Sequence, residues 1–150
     1  MKVTGQTDKN RTTRTSSEQE TVAFAAQFAR TLKPGDVVAF RGGLGVGKTA
    51  FVRGLAQGLG INCDVSSPTF ALIHEYKGDN MALYHFDMYR VRDYDSLYST
   101  GFFDYLESGA VLAVEWSENI AGDLPDNTVT VSIEHGGGDV RLITVEGESL

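Results

Sequence analysis

The stretch Gly42-Gly43-Leu44-Gly45-Val46-Gly47-Lys48-Thr49 restricts the fold of this chain more than any other. It satisfies the phosphate-binding pattern G-x-x-x-x-G-K-[ST], a pattern that means something only between a strand and a helix. Both flanks are present. Val37-Val38-Ala39-Phe40 is a short apolar run with β-branched residues, the signature of a buried strand. Phe51, Val52, Leu55, Ala56 and Leu59 recur as one helix face, and Gly60 supplies a stop just past its end. Glycines let such a loop curl with its N–H groups turned inward, and the helix N-terminus adds partial positive charge. A glycine-rich turn before an ordinary helix would have no packing use for Lys-Thr. The candidate phosphate contacts are therefore Gly43, Leu44, Gly45, Val46, Gly47, Lys48, Thr49 and Ala50. Lys48 is expected at the β- and γ-phosphates and the Thr49 hydroxyl on magnesium.

Length and charge narrow the partners. The chain has 150 residues, 41% of them hydrophobic and 22% charged, which suits one core. No apolar run approaches a membrane span, and no secretory leader is expected at the N-terminus. Cys63 is the single cysteine and cannot pair internally, so a cytoplasmic location is expected. With His74, His85 and His135 scattered, a zinc site is not expected. A net charge of −7 argues against tight hold on an RNA backbone, whose affinity comes from Lys and Arg. If nucleic acid is involved, another protein does most of the holding.

Residues 1–16 read as a disordered N-terminal arm and 17–150 as a single domain without repeat or linker. Ser17 and Glu20 have capping-box spacing. Val22, Ala25, Ala26, Ala29 and Leu32 form a helical stripe, ended by the turn Lys33-Pro34-Gly35-Asp36. After the phosphate-loop helix, residues 61–69 are irregular. Strands are expected over 70–76 and 81–86, joined by Gly78-Asp79-Asn80 as an antiparallel hairpin. Residues 93–107 read as helix in two pieces broken near Gly101. Strands follow at 110–114, around Val129, Val131 and Ile133, and at about 140–145.

Two acids close apolar strands. Asp87 follows Leu83-Tyr84-His85-Phe86, and Glu115 follows Val111-Leu112-Ala113-Val114. Ligands of open α/β sheets bind beyond the carboxyl ends of strands. A nucleotide's magnesium takes oxygen ligands, usually one or two carboxylates with waters and phosphates. Thr49 with one of these acids would complete the protein's share, and the other would orient the attacking water or hold a metal-bound water. Trp116 reads either as an aromatic lining the mouth of the site or as a core tryptophan. Thr69 reads either as a switch threonine sensing the γ-phosphate or as a plain strand-start threonine. Arg90 would neutralise phosphate charge or pair with a surface acid. His85 reads as a core or hinge histidine.

Taken together, five segments resemble one family, the small bacterial TsaE-type ATPase of tRNA threonylcarbamoyladenosine biosynthesis. They are Lys33-Pro34-Gly35-Asp36, the loop at 42–49, Ser67-Pro68-Thr69-Phe70, Tyr84-His85-Phe86-Asp87-Met88-Tyr89-Arg90 and Val114-Glu115-Trp116-Ser117-Glu118. The resemblance runs from about Ser17 to Ile133. It implies an α/β, P-loop NTPase-like three-layer fold, with a mixed sheet, helices on both faces and an antiparallel hairpin. It implies ATP or ADP bound with magnesium, and slow ATP hydrolysis. The implied partners are the threonylcarbamoyl-transferase subunit and its dimerising partner, which modify the adenosine next to the anticodon, with tRNA touched only indirectly. It puts magnesium on Thr49 and Glu115, makes Lys48, Asp87 and Glu115 the catalytic set, and makes 67–69 a switch-like loop. It lays residues 17–21 beside the nucleotide base. Two positions depart from the family's pattern: Gly43 stands where an acid is usual, and Val46 where alanine is usual.

Other readings have distinct signatures. A small-molecule kinase needs an arginine-bearing lid, for which Arg90 and Arg92 are the close basic pair after the loop. A GTPase would carry [NT]-K-x-D, which is absent from the sequence. Gly43 leaves room for a nucleotide-sensing adaptor with negligible hydrolysis.

Overall fold

Strand β2 (Val37–Phe40), buried at every position, is the middle of a seven-stranded sheet. The computed structural model describes residues 10–42, 47–62 and 72–147. The other strands are β1 (Asn10–Thr15), β3 (Ile73–Lys77), β4 (Ala82–Asp87), β5 (Val111–Glu115), β6 (Val129–His135) and β7 (Arg141–Glu146). Their order across the sheet is β1-β7-β6-β2-β5-β4-β3. The central strands β6, β2, β5 and β4 run parallel; β3 on one side and β7 on the other run against them, and β1, antiparallel to β7, runs with them again. The mixed sheet and the β3–β4 hairpin follow the sequence reading, with most strand ends moved by one or two residues; residues 70–71 of the expected 70–76 strand lie outside the described residues.

Helices cover both faces. α1 (Glu18–Ala29) and α2 (Lys48–Gly58) pack on one face through Ala25, Phe28, Phe51 and Leu55 against Val38, Phe40, Ala113 and Val131. On the other face, α3 (Tyr94–Ser99), α4 (Phe102–Leu106) and a 3-10 segment (Ser117–Asp123) bury Leu97, Phe102 and Ile120 against Val37, Phe86, Leu112 and Val114. The break between α3 and α4 falls at Gly101, where φ is +83°, a conformation that costs glycine least. Among the described residues no helix is long and apolar enough to cross a membrane.

The local signals act as read. Ser17 caps α1 by accepting from the Glu20 N–H at 3.1 Å, while the Glu20 carboxylate accepts from the Ser16 N–H at 2.7 Å. Pro34 and Gly35 hold the two central positions of the turn into β2, with the Asp36 N–H donating to the Lys33 carbonyl at 3.0 Å. At the end of α2 the Ile61 N–H reaches the Ala56 carbonyl and the Gly60 N–H the Gln57 carbonyl, a Schellman closure around left-handed Gly60.

One expectation is corrected. Residues 1–16 do not read through as a disordered arm, because Asn10–Thr15 is an edge strand paired residue by residue with Arg141–Glu146. A polar composition misleads here because an edge strand is held by its backbone ladder rather than by buried side chains. The threonines suit a strand, and Thr15 and Thr21 share a buried hydroxyl contact of 2.7 Å that ties β1 to α1.

α1 lies unusually close to α2 because Gly54 and Gly58, one turn apart, face it. A Cβ on Gly54 would stand 2.5 Å from the Ala25 Cβ, and one on Gly58 would stand 2.6 Å from the Ala29 Cβ and collide with the Ala26 carbonyl. Gly58→Ala is expected to cost about 2–3 kcal/mol, as overpacking does, despite alanine's better helix propensity. Urea unfolding that shows a more stable variant would refute this close fit.

Candidate functional site

The parallel core brings the carboxyl ends of β2, β4 and β5 to one side of the sheet. β5 ends in Glu115, and the register pairs Asp87 of β4 with it directly. Residues two apart share a face, so Leu83, His85 and Asp87 point the same way as Val111, Ala113 and Glu115, toward α1 and α2. Gly47 caps α2 in the left-handed region at φ +96°, and Lys48 begins the helix. The sequence-predicted Lys48, Asp87 and Glu115 thus gather at one end of the sheet. Thr49 and Ala50 follow in the first turn of α2. Gly43, Leu44, Gly45 and Val46, and the 67–69 segment with Thr69, lie outside the described residues.

Lys48 is buried, and its ammonium donates to the Arg41 carbonyl. Burial pushes its pKa down from the ordinary lysine value, while the nearby charges of Glu115 and Glu118 pull it up. Its neighbour Gly42 has φ +75°, and a Cβ there would stand 3.3 Å from Lys48 Nζ. Glycine at 42 therefore serves both the turn and the close approach of the ammonium.

Glu115 is almost fully buried, and its Oε2 lies 2.6 Å from His85 Nε2. His85 is a core residue, as one of its two readings expected, but no local pattern signals its bond to Glu115. Two strands with no fixed register in sequence place it diagonally across from that carboxylate. Asp87 is half-buried and accepts from the Tyr89 N–H at 2.9 Å. Arg90 is exposed in the turn that follows.

Glu118 is a second residue the sequence left without a role. Its carboxylate accepts from the Gly42 N–H at 2.9 and 3.1 Å, and the Trp116 N–H donates to the Gly42 carbonyl at 2.8 Å. The segment after β5 thus grips both polar groups of the first loop glycine. Trp116 takes φ +58°, uncommon outside glycine. It is half-buried, packed against the second core, with its ring tilted against Tyr89 at 5.1 Å, which is nearer the core reading.

A cleft of about 400 Å³ opens beside the start of α2, lined by Ser17, Thr21, Gly47, Thr49, Asp139 and Arg141 among others. The last two come from the β6–β7 hairpin, to which the sequence assigned nothing. A Cβ on Gly47 would stand 3.8 Å from the Arg141 side chain, so this guanidinium lies beside the helix cap. The same arginine donates to the Gly138 and Val140 carbonyls at 2.9 Å, which fixes its position.

The oxygen donors of Thr49 and Glu115 are of the kind magnesium takes. Thr49 and Glu115 offer hard oxygen, and among the described residues no group of three or more His, Cys, Asp or Glu side chains could hold a metal alone. Magnesium in nucleotide sites has that character, with one or two protein oxygens and the rest from phosphate and water.

The chain matches the family model described as threonylcarbamoyl adenosine biosynthesis protein TsaE over residues 15–143. It is 42% identical over 131 residues to the tRNA threonylcarbamoyladenosine biosynthesis protein TsaE of Bacillus subtilis, covering 87% of this chain and 82% of that one. The protein of the same name from Treponema pallidum is 40% identical over 129 residues, covering 86% and 95%. The crystal structure of Bacillus subtilis YdiB superposes with a TM-score of 0.77 at 37% identity, covering 93% of this chain and 86% of that chain. That likeness agrees with the P-loop NTPase-like arrangement of sheet, glycine loop and helix. With a family model spanning most of its length and relatives near 40% identity, this chain belongs to the TsaE family of threonylcarbamoyladenosine biosynthesis proteins.

Proposed function

We propose that this chain binds ATP or ADP with magnesium and hydrolyses ATP in support of threonylcarbamoyl modification of tRNA. The observation that carries this reading is the buried Lys48 at the first turn of α2, near the charges of Glu115 and Glu118, between Gly47 and Thr49, which both line the cleft. A buried cation at a helix N-terminus is a built site for anionic phosphate.

The nucleotide's phosphates would lie along the loop and the start of α2, with the base toward Ser17 and Thr21. Thr49 and Glu115 would hold magnesium, which would neutralise phosphate charge. A water oxygen forms the new bond to the γ-phosphorus while the bond to the β-phosphate oxygen breaks, leaving ADP and phosphate. Lys48 steadies the charge that builds on the phosphate oxygens. Asp87, which pairs in register with Glu115 on the neighbouring strand, would polarise the water and receive its proton. Arg141 adds positive charge on the cleft wall.

The proposed partners are the threonylcarbamoyl-transferase subunit and its dimerising partner. The chain's acidity leaves tRNA to be held by them. ATP hydrolysis would reset that enzyme after each turnover, through loop movement at the nucleotide.

Reconstituted tRNA modification tests the proposal. Multiple turnovers are expected with this chain, and no more than one with Lys48→Ala or Glu115→Ala. Unchanged turnover by either variant would end the proposal. Phosphate release, measured with and without the partner proteins, separates an ATPase from a nucleotide-sensing adaptor. Arg141→Ala is expected to weaken ADP binding about tenfold, the worth of one charge-assisted contact of roughly 1.4 kcal/mol. Unaltered affinity in calorimetry would remove the last hairpin from the site.

A further inference from the structure

We propose that His85 is a positioning residue whose Nε2–H holds the Glu115 carboxylate in the one orientation that meets magnesium. The inference rests on the reading above, in which Glu115 is the carboxylate that meets the cation.

His85 is fully buried on β4, and Glu115 almost fully buried at the end of β5. The two are 2.6 Å apart, a length typical of a hydrogen bond to a charged acceptor. Among the described residues the other ring nitrogen, Nδ1, is buried with no hydrogen-bond partner. That asymmetry fixes the tautomer. A proton on Nδ1 would be a buried donor without an acceptor, whereas a bare Nδ1 leaves only a lone pair unsatisfied. Nε2 thus carries the proton of this bond, and the Glu115 carboxylate accepts it. Packing alone does not account for a histidine here, since an aliphatic or aromatic side chain would fill the space without stranding Nδ1. The ring has one polar task, and it is Glu115.

The consequence is geometric. Oε2 is committed to the imidazole, so a cation would be met by Oε1. Without the imidazole, the carboxylate can rotate about its last torsion, which is broad and has no strong intrinsic preference. Hydrogen bonds that orient metal-binding carboxylates typically contribute 10–100-fold to metal affinity.

The test compares ADP affinity by calorimetry in magnesium and in EDTA, for the full chain and three variants. In the unmodified chain, magnesium is expected to strengthen ADP binding. His85→Leu is expected to lose at least about tenfold of that gain, with affinity in EDTA unchanged. His85→Gln can place an amide N–H near the position of Nε2, and is expected to keep most of the gain. His85→Asn is equally polar but too short to reach, and is expected to behave like the leucine variant. If the leucine variant does not fold, the glutamine and asparagine variants still decide the matter. Equal magnesium gain in all variants overturns the inference while leaving the proposed function standing. No magnesium gain in the unmodified chain overturns the proposed function, and this inference with it.

Discussion

Lys48→Ala is expected to weaken ATP and ADP binding roughly 30- to 150-fold, the equivalent of about 2–3 kcal/mol of charge-assisted contact. The effect should be uniform across both nucleotides if the ammonium reaches the β-phosphate as well as the γ-phosphate. What separates this lysine from a structural cation is its behaviour in the empty protein. Burial lowers its pKa from the ordinary lysine value of 10.5, even against the pull of Glu115 and Glu118. Between the folded-state pKa and 10.5 the unfolded chain holds more protons, so this group makes stability rise with pH through that window. Below the window the charged, desolvated ammonium counts against the fold. Lys48→Met should therefore melt no lower than the unmodified protein at pH 7, and any advantage should shrink as pH approaches the lysine range. Calorimetric melting at several pH values checks this. A variant that is much less stable at neutral pH would show that Lys48 holds the fold rather than the ligand.

Glu115→Ala should be the most damaging single change to both stability and the proposed chemistry. It strips the imidazole of its polar partner inside the core, since among the described residues Nδ1 has none. Leaving a buried donor unsatisfied costs up to about 3 kcal/mol, which corresponds to a fall of up to roughly 12 °C in melting temperature for a chain of this size. Glu115→Gln keeps an acceptor for Nε2–H and should lose less than half as much stability. It should still lose the magnesium-dependent part of nucleotide binding, because a neutral amide is a poor ligand for a hard cation. Differential scanning calorimetry gives the first readout and ADP titration with and without magnesium the second. A glutamine variant with undiminished magnesium gain would remove Glu115 from the metal site.

Much of the fold was legible because it depends on short-range chemistry. Pro34-Gly35 can make few turns, Gly60 and Gly101 mark helix boundaries, and the strand–loop–helix around Lys48 has one established use. The edge strand Asn10–Thr15 was not legible, since polar threonines carry no burial signal and its partner β7 lies more than a hundred residues away in sequence. The contributions of Glu118 and Arg141 were hidden for the same reason. One reaches back to Gly42 across 76 positions, and the other arrives at the cleft only when the last hairpin folds beside α2.

By itself, the sequence determined a glycine-rich segment between a buried strand and a helix, two acids closing apolar strands, and a mixed sheet with a hairpin. These follow from periodicity, turn chemistry and residue type, which act over a few positions. Only the tertiary structure decided that Asp87 and Glu115 stand side by side, that His85 bonds Glu115, and that Trp116 and Glu118 grip Gly42. Strand order and register settle those contacts. They arise from how whole faces bury against α1, α2 and the helices opposite, a sum over the chain that no local pattern records.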